Sequence, residues 1–268
     1  MKEPKIKSEG KCVFCEKNFA KAGINRHLSK HLADKISENK PGKSFLIKAE
    51  ADPYYYGNSG FFLSLWVDGN ATMKDIDSFL RAIWLECCGH LSSFTDPQKR
   101  RERGGGSMYD FFELEEMLEK GKTKEYEEEM WKIKGEIPMG KKVGEVFHKN
   151  YKTEYEYDFG SSTMLLLTAM EAYPIVADSP IVLLSRNEPL AIICGACGQE
   201  PAAEICTAHD YGENHLFCKK CAKKHAKTCA DFDDYAAMPI VNSPRMGECA
   251  YTGGTIDEKR DGIFVAKT

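Results

Sequence analysis

No stretch of this chain reaches the ~18 consecutive apolar residues that a membrane-spanning helix needs. The opening Met1-Lys2-Glu3-Pro4-Lys5-Ile6-Lys7 lacks the apolar region of about 7–15 residues found in a secretory signal, so a cytoplasmic protein without membrane association is expected. Internal repeats and long low-complexity tracts are missing too. So are a Gly-rich phosphate loop and the His-Arg-Asp loop of protein kinases, and the Asp158-Phe159-Gly160 triplet therefore matches the kinase magnesium motif in letters only. Between residues 44 and 193 cysteine is scarce, with only Cys87 and Cys88.

What is present is a globular composition with unusual ends. The 268 residues are 42% hydrophobic, 11% aromatic and 29% charged, which suits one core of ordinary size with something smaller beside it. Eleven cysteines in a chain without an export signal point to metal ligation, because cytosolic reductants disfavour structural disulfides. Charge is as uneven as cysteine. Residues 1–43 carry eleven Lys/Arg against five Asp/Glu, whereas residues 44–193 carry seventeen against twenty-five. A basic arm is attached to an acidic body, and a polyanion would bind at the arm.

These shifts divide the chain into a basic finger and linker (1–43), a core (44–190) and a cysteine-rich module with a tail (191–268). Ser37 to Lys43, with its Pro41-Gly42 pair, reads as the linker. In the core, Ser44–Ala51 and Phe61–Val67 read as strands. Thr72 with Asp75 resembles a capping box for a helix carrying Ile76, Phe79, Leu80, Ile83, Trp84, Cys87 and Leu91 at helical spacing. The basic run Gln98 to Gly106 reads as a flexible loop, and Met108–Trp131 as two acidic helical stretches interrupted by Gly121. Thr153–Gly160 alternates aromatic and acidic residues as a half-buried strand does. The expected fold is α+β: a mainly antiparallel sheet with helices on one face, flanked by zinc-stabilised modules at both ends.

Cys12-x-x-Cys15 followed by His27-x-x-x-His31 has the two-Cys-two-His order of a zinc finger. The short gap lets a knuckle aim both thiolates at one ion, and the longer one sets both imidazoles on one helix face. Phe19 and Ile24 stand where the finger's small core belongs, and the central spacer of eleven residues is one short of the usual number. In the finger register the base-facing positions are Ala20, Gly23 and Arg26, of which only Arg26 can grip a base edge in bidentate fashion. Lys21, Arg26 and Lys30 are the candidate nucleic-acid contacts, for non-specific binding rather than sequence reading. Protein docking is the other use.

Farther along, Cys194, Cys197, Cys206, His209, Cys218, Cys221, His225 and Cys229 form four consecutive pairs, enough for two tetrahedral sites. Cross-bracing would join Cys194/Cys197 with Cys218/Cys221 and Cys206/His209 with His225/Cys229. A single four-Cys ribbon is the alternative, and His215 can stand in for His209. The module resembles the B-box class in ligand order. About three structural zinc ions are expected in all.

Phe79 to Phe94, containing Gly89-His90-Leu91, and Tyr155-Glu156-Tyr157-Asp158-Phe159-Gly160 resemble the two signature stretches of the plasmid pRiA4b ORF-3-like family. The resemblance covers about residues 44–190 and implies an α+β fold, without an established activity. Some members accompany mobile elements, which suggests a nucleic-acid setting. Ser243 to Gly253 looks like the tail of zinc-bearing members.

The adjacent Cys87 and Cys88, on an apolar helix face, read as core packing. On a helix they would point about 100° apart and so suit neither a chelate nor a disulfide. The reading is thus a non-catalytic zinc protein that meets nucleic acid or protein through its zinc modules, with a small-molecule substrate not expected. The alternative is a hydrolase or transferase using His90 and Asp158. Helix capping by His90 and turn hydrogen bonds by Asp158 are the plainer roles.

Overall fold

The computed structural model describes residues 7–102, 108–208 and 215–255. Its contacts divide the chain into two compact units. The larger comprises Glu9–Phe79 and Leu91–Asn187; of the described residues the smaller takes in 7–8, Leu80–His90 and those from Glu188 onward.

The larger unit begins with a hairpin of β1 (Glu9–Lys11) and β2 (Asn18–Ala20), then helix α1 (Lys21–Asp34). The core elements follow: β3 (Pro41–Ala51), the single turn α2 (Pro53–Tyr56), β4 (Phe62–Asp68) and α3 (Met73–Leu80). Next come β5 (Ser92–Thr95), α4 (Pro97–Glu102), α5 (Met108–Glu119), α6 (Thr123–Lys134), β6 (Glu136–Ile137) and α7 (Val143–Val146). The unit closes with β7 (Lys152–Tyr157), β8 (Thr163–Ile175) and β9 (Ile181–Arg186). Seven strands form one sheet, ordered β6-β5-β7-β8-β3-β4-β9, in which every neighbouring pair is antiparallel. The class is α+β, as the residue pattern requires.

Local chemistry explains these elements. Asp75 accepts from the Thr72 backbone N–H at 2.7 Å while the Thr72 hydroxyl oxygen accepts from the Asp75 N–H at 3.2 Å, the reciprocal capping that starts α3. Gly121, at φ 68°, separates α5 from α6, whose facing residues Leu114, Met130 and Ile133 bury each other. Buried Asp77 accepts from Tyr155 Oη at 2.8 Å, Ser92 Oγ at 2.5 Å and Lys74 Nζ at 2.7 Å, fixing α3 to β5 and β7.

All seven residues of β4 are buried, as expected of a strand covered on both faces. Phe45 meets Phe147, next to α7, on one side. Its neighbour Leu46, with Phe62 and Trp66, packs on the other side against Ile24, Leu28 and Leu32 of α1. The finger helix therefore covers a face of the sheet. Ser37–Lys43, expected as a linker, instead ends a 3-10 turn (Lys35–Ser37) and begins β3, because Asn39 donates to the Val176 carbonyl and to Asp178 and Pro41 pairs with Ile175. The basic run 98–106 begins on α4; residues 103–107 lie outside the described part.

In the smaller unit a π-turn, Arg81–Leu85, continues from α3, and the strands β10 (Glu204–Cys206), β11 (Leu216–Phe217) and β12 (Ala237–Pro239) make a small sheet with the seven-residue helix α8 (Lys219–His225). Its core is Phe217, Ala222, Phe232 and Ala236 with Cys206 and Cys229. No described helix is long and apolar enough to cross a membrane.

Candidate metal centres

Among the described residues, four groups of cysteine and histidine bring their ligand atoms within 4.8 Å of one another. The comparison distances come from bond lengths: a tetrahedral ion with metal–sulfur bonds of about 2.3 Å and metal–nitrogen bonds of about 2.0–2.1 Å sets its ligand atoms roughly 3.3–3.8 Å apart.

The first group is Cys12, Cys15, His27 and His31. His27 Nε2 lies 3.2 Å from Cys15 Sγ and 3.1 Å from His31 Nε2, so both imidazoles present Nε2 to the same point. Phe19 stacks on His27 with ring centroids 3.8 Å apart. The knuckle closes with the Glu16 N–H donating to the Cys12 carbonyl at 2.8 Å, which requires Glu16 at φ 59°. Burial raises the Cys12 thiol above its ordinary value and lowers His27, with His31 adding to the latter effect.

Cys194, Cys197, Cys218 and Cys221 make the second group. Its knuckle repeats the first: Gly198 donates to the Cys194 carbonyl at 2.8 Å with φ 65°. Two of these thiols, Cys194 and Cys221, are pushed in opposite directions. Burial opposes ionisation of Cys194, yet backbone N–H groups of Cys218 and Cys197 hold it down at about 6, while the Cys218 thiol and burial push Cys221 up to about 12. Without a cation between them, such crowded thiols cannot all ionise.

The third group holds Cys206, His225 and Cys229, with the His225 ring stacked 4.4 Å from Phe217. His209, expected as its fourth ligand, lies outside the described residues. His215, the expected stand-in, is not among the group's donors; its backbone carbonyl accepts from the Cys206 N–H at 2.9 Å.

The fourth group is Cys87, Cys88, His90 and Cys249, and the core-packing reading of Cys87 and Cys88 is overturned by it. Helical geometry does not apply there. The π-turn ends at Leu85, Glu86 is extended, and Leu91, placed on the apolar face by periodicity, is 72% exposed. Three cysteines left outside the paired motifs, with Gly89 marking a turn, were the available signal.

His90 therefore stands among thiols. Asp158, buried in the larger unit at φ 67°, accepts from the Gly160 N–H at 3.0 Å, the Asx-turn role. A cleft of about 850 Å³ in the larger unit is lined by Asp96, His148 and Tyr151, but the Asp96 carboxylate already accepts from Tyr151 Oη at 2.8 Å and from the Gln98 and Lys99 backbone. Of the expected nucleic-acid contacts, Arg26 and Lys30 are exposed, whereas Lys21 Nζ pairs with Glu50 at 3.0 Å.

No family model and no curated protein matches the chain significantly. Among solved structures, a protein of unknown function from Methanosarcina mazei Go1 is similar over 53% of this chain and 67% of its own, with 13% identity and a TM-score of 0.34.

Proposed function

We propose that this chain is a non-catalytic interaction protein whose small modules are shaped by zinc, and that its core belongs with the plasmid pRiA4b ORF-3-like proteins its Gly89-His90-Leu91 and Tyr155-to-Gly160 stretches resemble. One observation carries the metal reading: thiolate and imidazole donors converge in sets of three or four, without a carboxylate among them. That donor chemistry favours zinc over magnesium or calcium, and the four-donor sets leave no coordination position for a substrate. Structural zinc contributes about 10–16 kcal/mol in finger peptides, more than the short core of the smaller unit can gain by burial.

For the partner, the support is the excess of Lys/Arg in residues 1–43 and the exposure of Arg26 and Lys30 on α1. A polyanion, nucleic acid first, fits that surface. The test is fluorescence anisotropy of the intact chain with duplex oligonucleotides over a salt series. Binding should weaken steeply with salt, and Arg26→Glu should weaken it across all sequences. Salt-independent binding, or none, would overturn the nucleic-acid reading and leave a protein as the partner.

A further inference from the structure

The geometry points to a fourth zinc centre, made by Cys87, Cys88, His90 and Cys249, that staples the C-terminal tail to the π-turn at Arg81–Leu85. This rests on the reading above that closed Cys/His sets in this chain carry zinc.

The donor atoms already converge, all within 4.8 Å of one another. Cys88 Sγ lies 3.7 Å from Cys87 Sγ, 3.5 Å from Cys249 Sγ and 2.9 Å from His90 Nε2, and the last is 3.2 Å from Cys249 Sγ. The two sulfur–sulfur distances match the ligand edges of such an ion, the two sulfur–nitrogen distances are shorter, and the sulfurs stand well beyond the ~2.05 Å of a disulfide.

Both arms of the site are held in place by contacts that involve no metal. On one arm, Arg81 pairs with Glu86 at 2.7 Å, and Glu86 accepts from the Gly89 N–H at 2.6 Å, so the loop turns at Gly89 with φ 78°. On the other, Ser243 Oγ donates to the Trp84 carbonyl at 2.6 Å, the Thr255 N–H donates to the Ala82 carbonyl at 2.7 Å, and Tyr251 is buried. Cys249 and Ala250 both adopt left-handed backbone angles, φ 45° and 54°. Left-handed backbone at two consecutive non-glycine residues is strained and persists where something else fixes it. Here the strain aims Cys249 at the other donors.

Charge also fits. Binding one divalent ion releases three thiol protons to solvent and leaves the site at minus one. The guanidinium of Arg245, buried, lies 3.6 Å from Cys87 Sγ and offsets it.

Zinc counted per intact chain tests the proposal. Wild-type protein purified without chelator should hold one zinc more than Cys249→Ser or Cys88→Ser, while Cys197→Ser should lose a different one. Equal counts in wild type and Cys249→Ser, with zinc still bound elsewhere, would overturn the fourth centre alone; no zinc in the wild type would overturn the underlying reading as well. Alkylation of the wild type needs no variant. In the presence of reductant, the exposed Cys88 and Cys249 should resist iodoacetamide until a chelator is added, and rapid labelling indifferent to chelator would contradict the site.

Discussion

Lys21, the first residue of α1, places its ammonium 3.0 Å from the buried carboxylate of Glu50 on β3. Lys48 pairs with the other carboxylate oxygen. Burial alone would raise this carboxyl group, yet the two ammonium partners outweigh it and hold Glu50 below the ordinary carboxylate value. The folded state thus binds the proton less readily than the unfolded chain. The stabilisation is fully present above the ordinary carboxylate pKa and is lost as pH falls through the lower, folded value. Glu50→Gln should cost about 1–3 kcal/mol at pH 7, and the difference from wild type in urea melts should shrink at pH 3–4. A pH-independent difference would contradict the pairing.

The same pair separates Lys21 from its neighbours on the finger helix. Lys21→Met should lower stability while leaving the salt dependence of any polyanion binding unchanged, whereas Lys30→Met should lower the salt slope by about one unit without destabilising the fold. Anisotropy titrations alongside thermal melts read both effects.

Gly10 in β1 sits where the finger hairpin meets β9. A Cβ there would come within 2.6 Å of Ser185 Oγ and 2.7 Å of the Arg186 carbonyl, so only glycine permits the approach. Gly10→Ala should destabilise the protein by about 1–3 kcal/mol. Chemical denaturation would show it; an unchanged midpoint would mean that the hairpin stands off the sheet.

Much of this was legible in the sequence where short-range chemistry decides. The capping pair Thr72/Asp75, the aromatic-acid alternation of 153–157 and the knuckles at Cys12/Cys15 and Cys194/Cys197 are local patterns, and each forms the element or turn expected of it. Long-range relations were not. Cys88 and Cys249 are 161 residues apart, and the helical period through Leu91 hid the π-turn that frees Cys87 and Cys88 from a helix face. Likewise Leu28 and Leu32 lie outside the finger's own small core, and their burial against Leu46 and Trp66 becomes visible only with the sheet in place.

Removing metal should act unevenly. The larger unit keeps an apolar core around its seven-stranded sheet, whereas the smaller relies on a few buried side chains around its ligands. On chelation, amide exchange should accelerate first in β10, β11, α8 and β12 and last in β3, β4 and β8. Simultaneous loss of protection in both would show that metal and sheet stability are coupled.

The most direct test is the mass of the folded chain. Native mass spectrometry of protein purified without chelator should give a compact charge-state distribution with four zinc ions bound. A compact distribution at the metal-free mass would contradict the view that sulfur and imidazole in this protein exist to be closed around an ion.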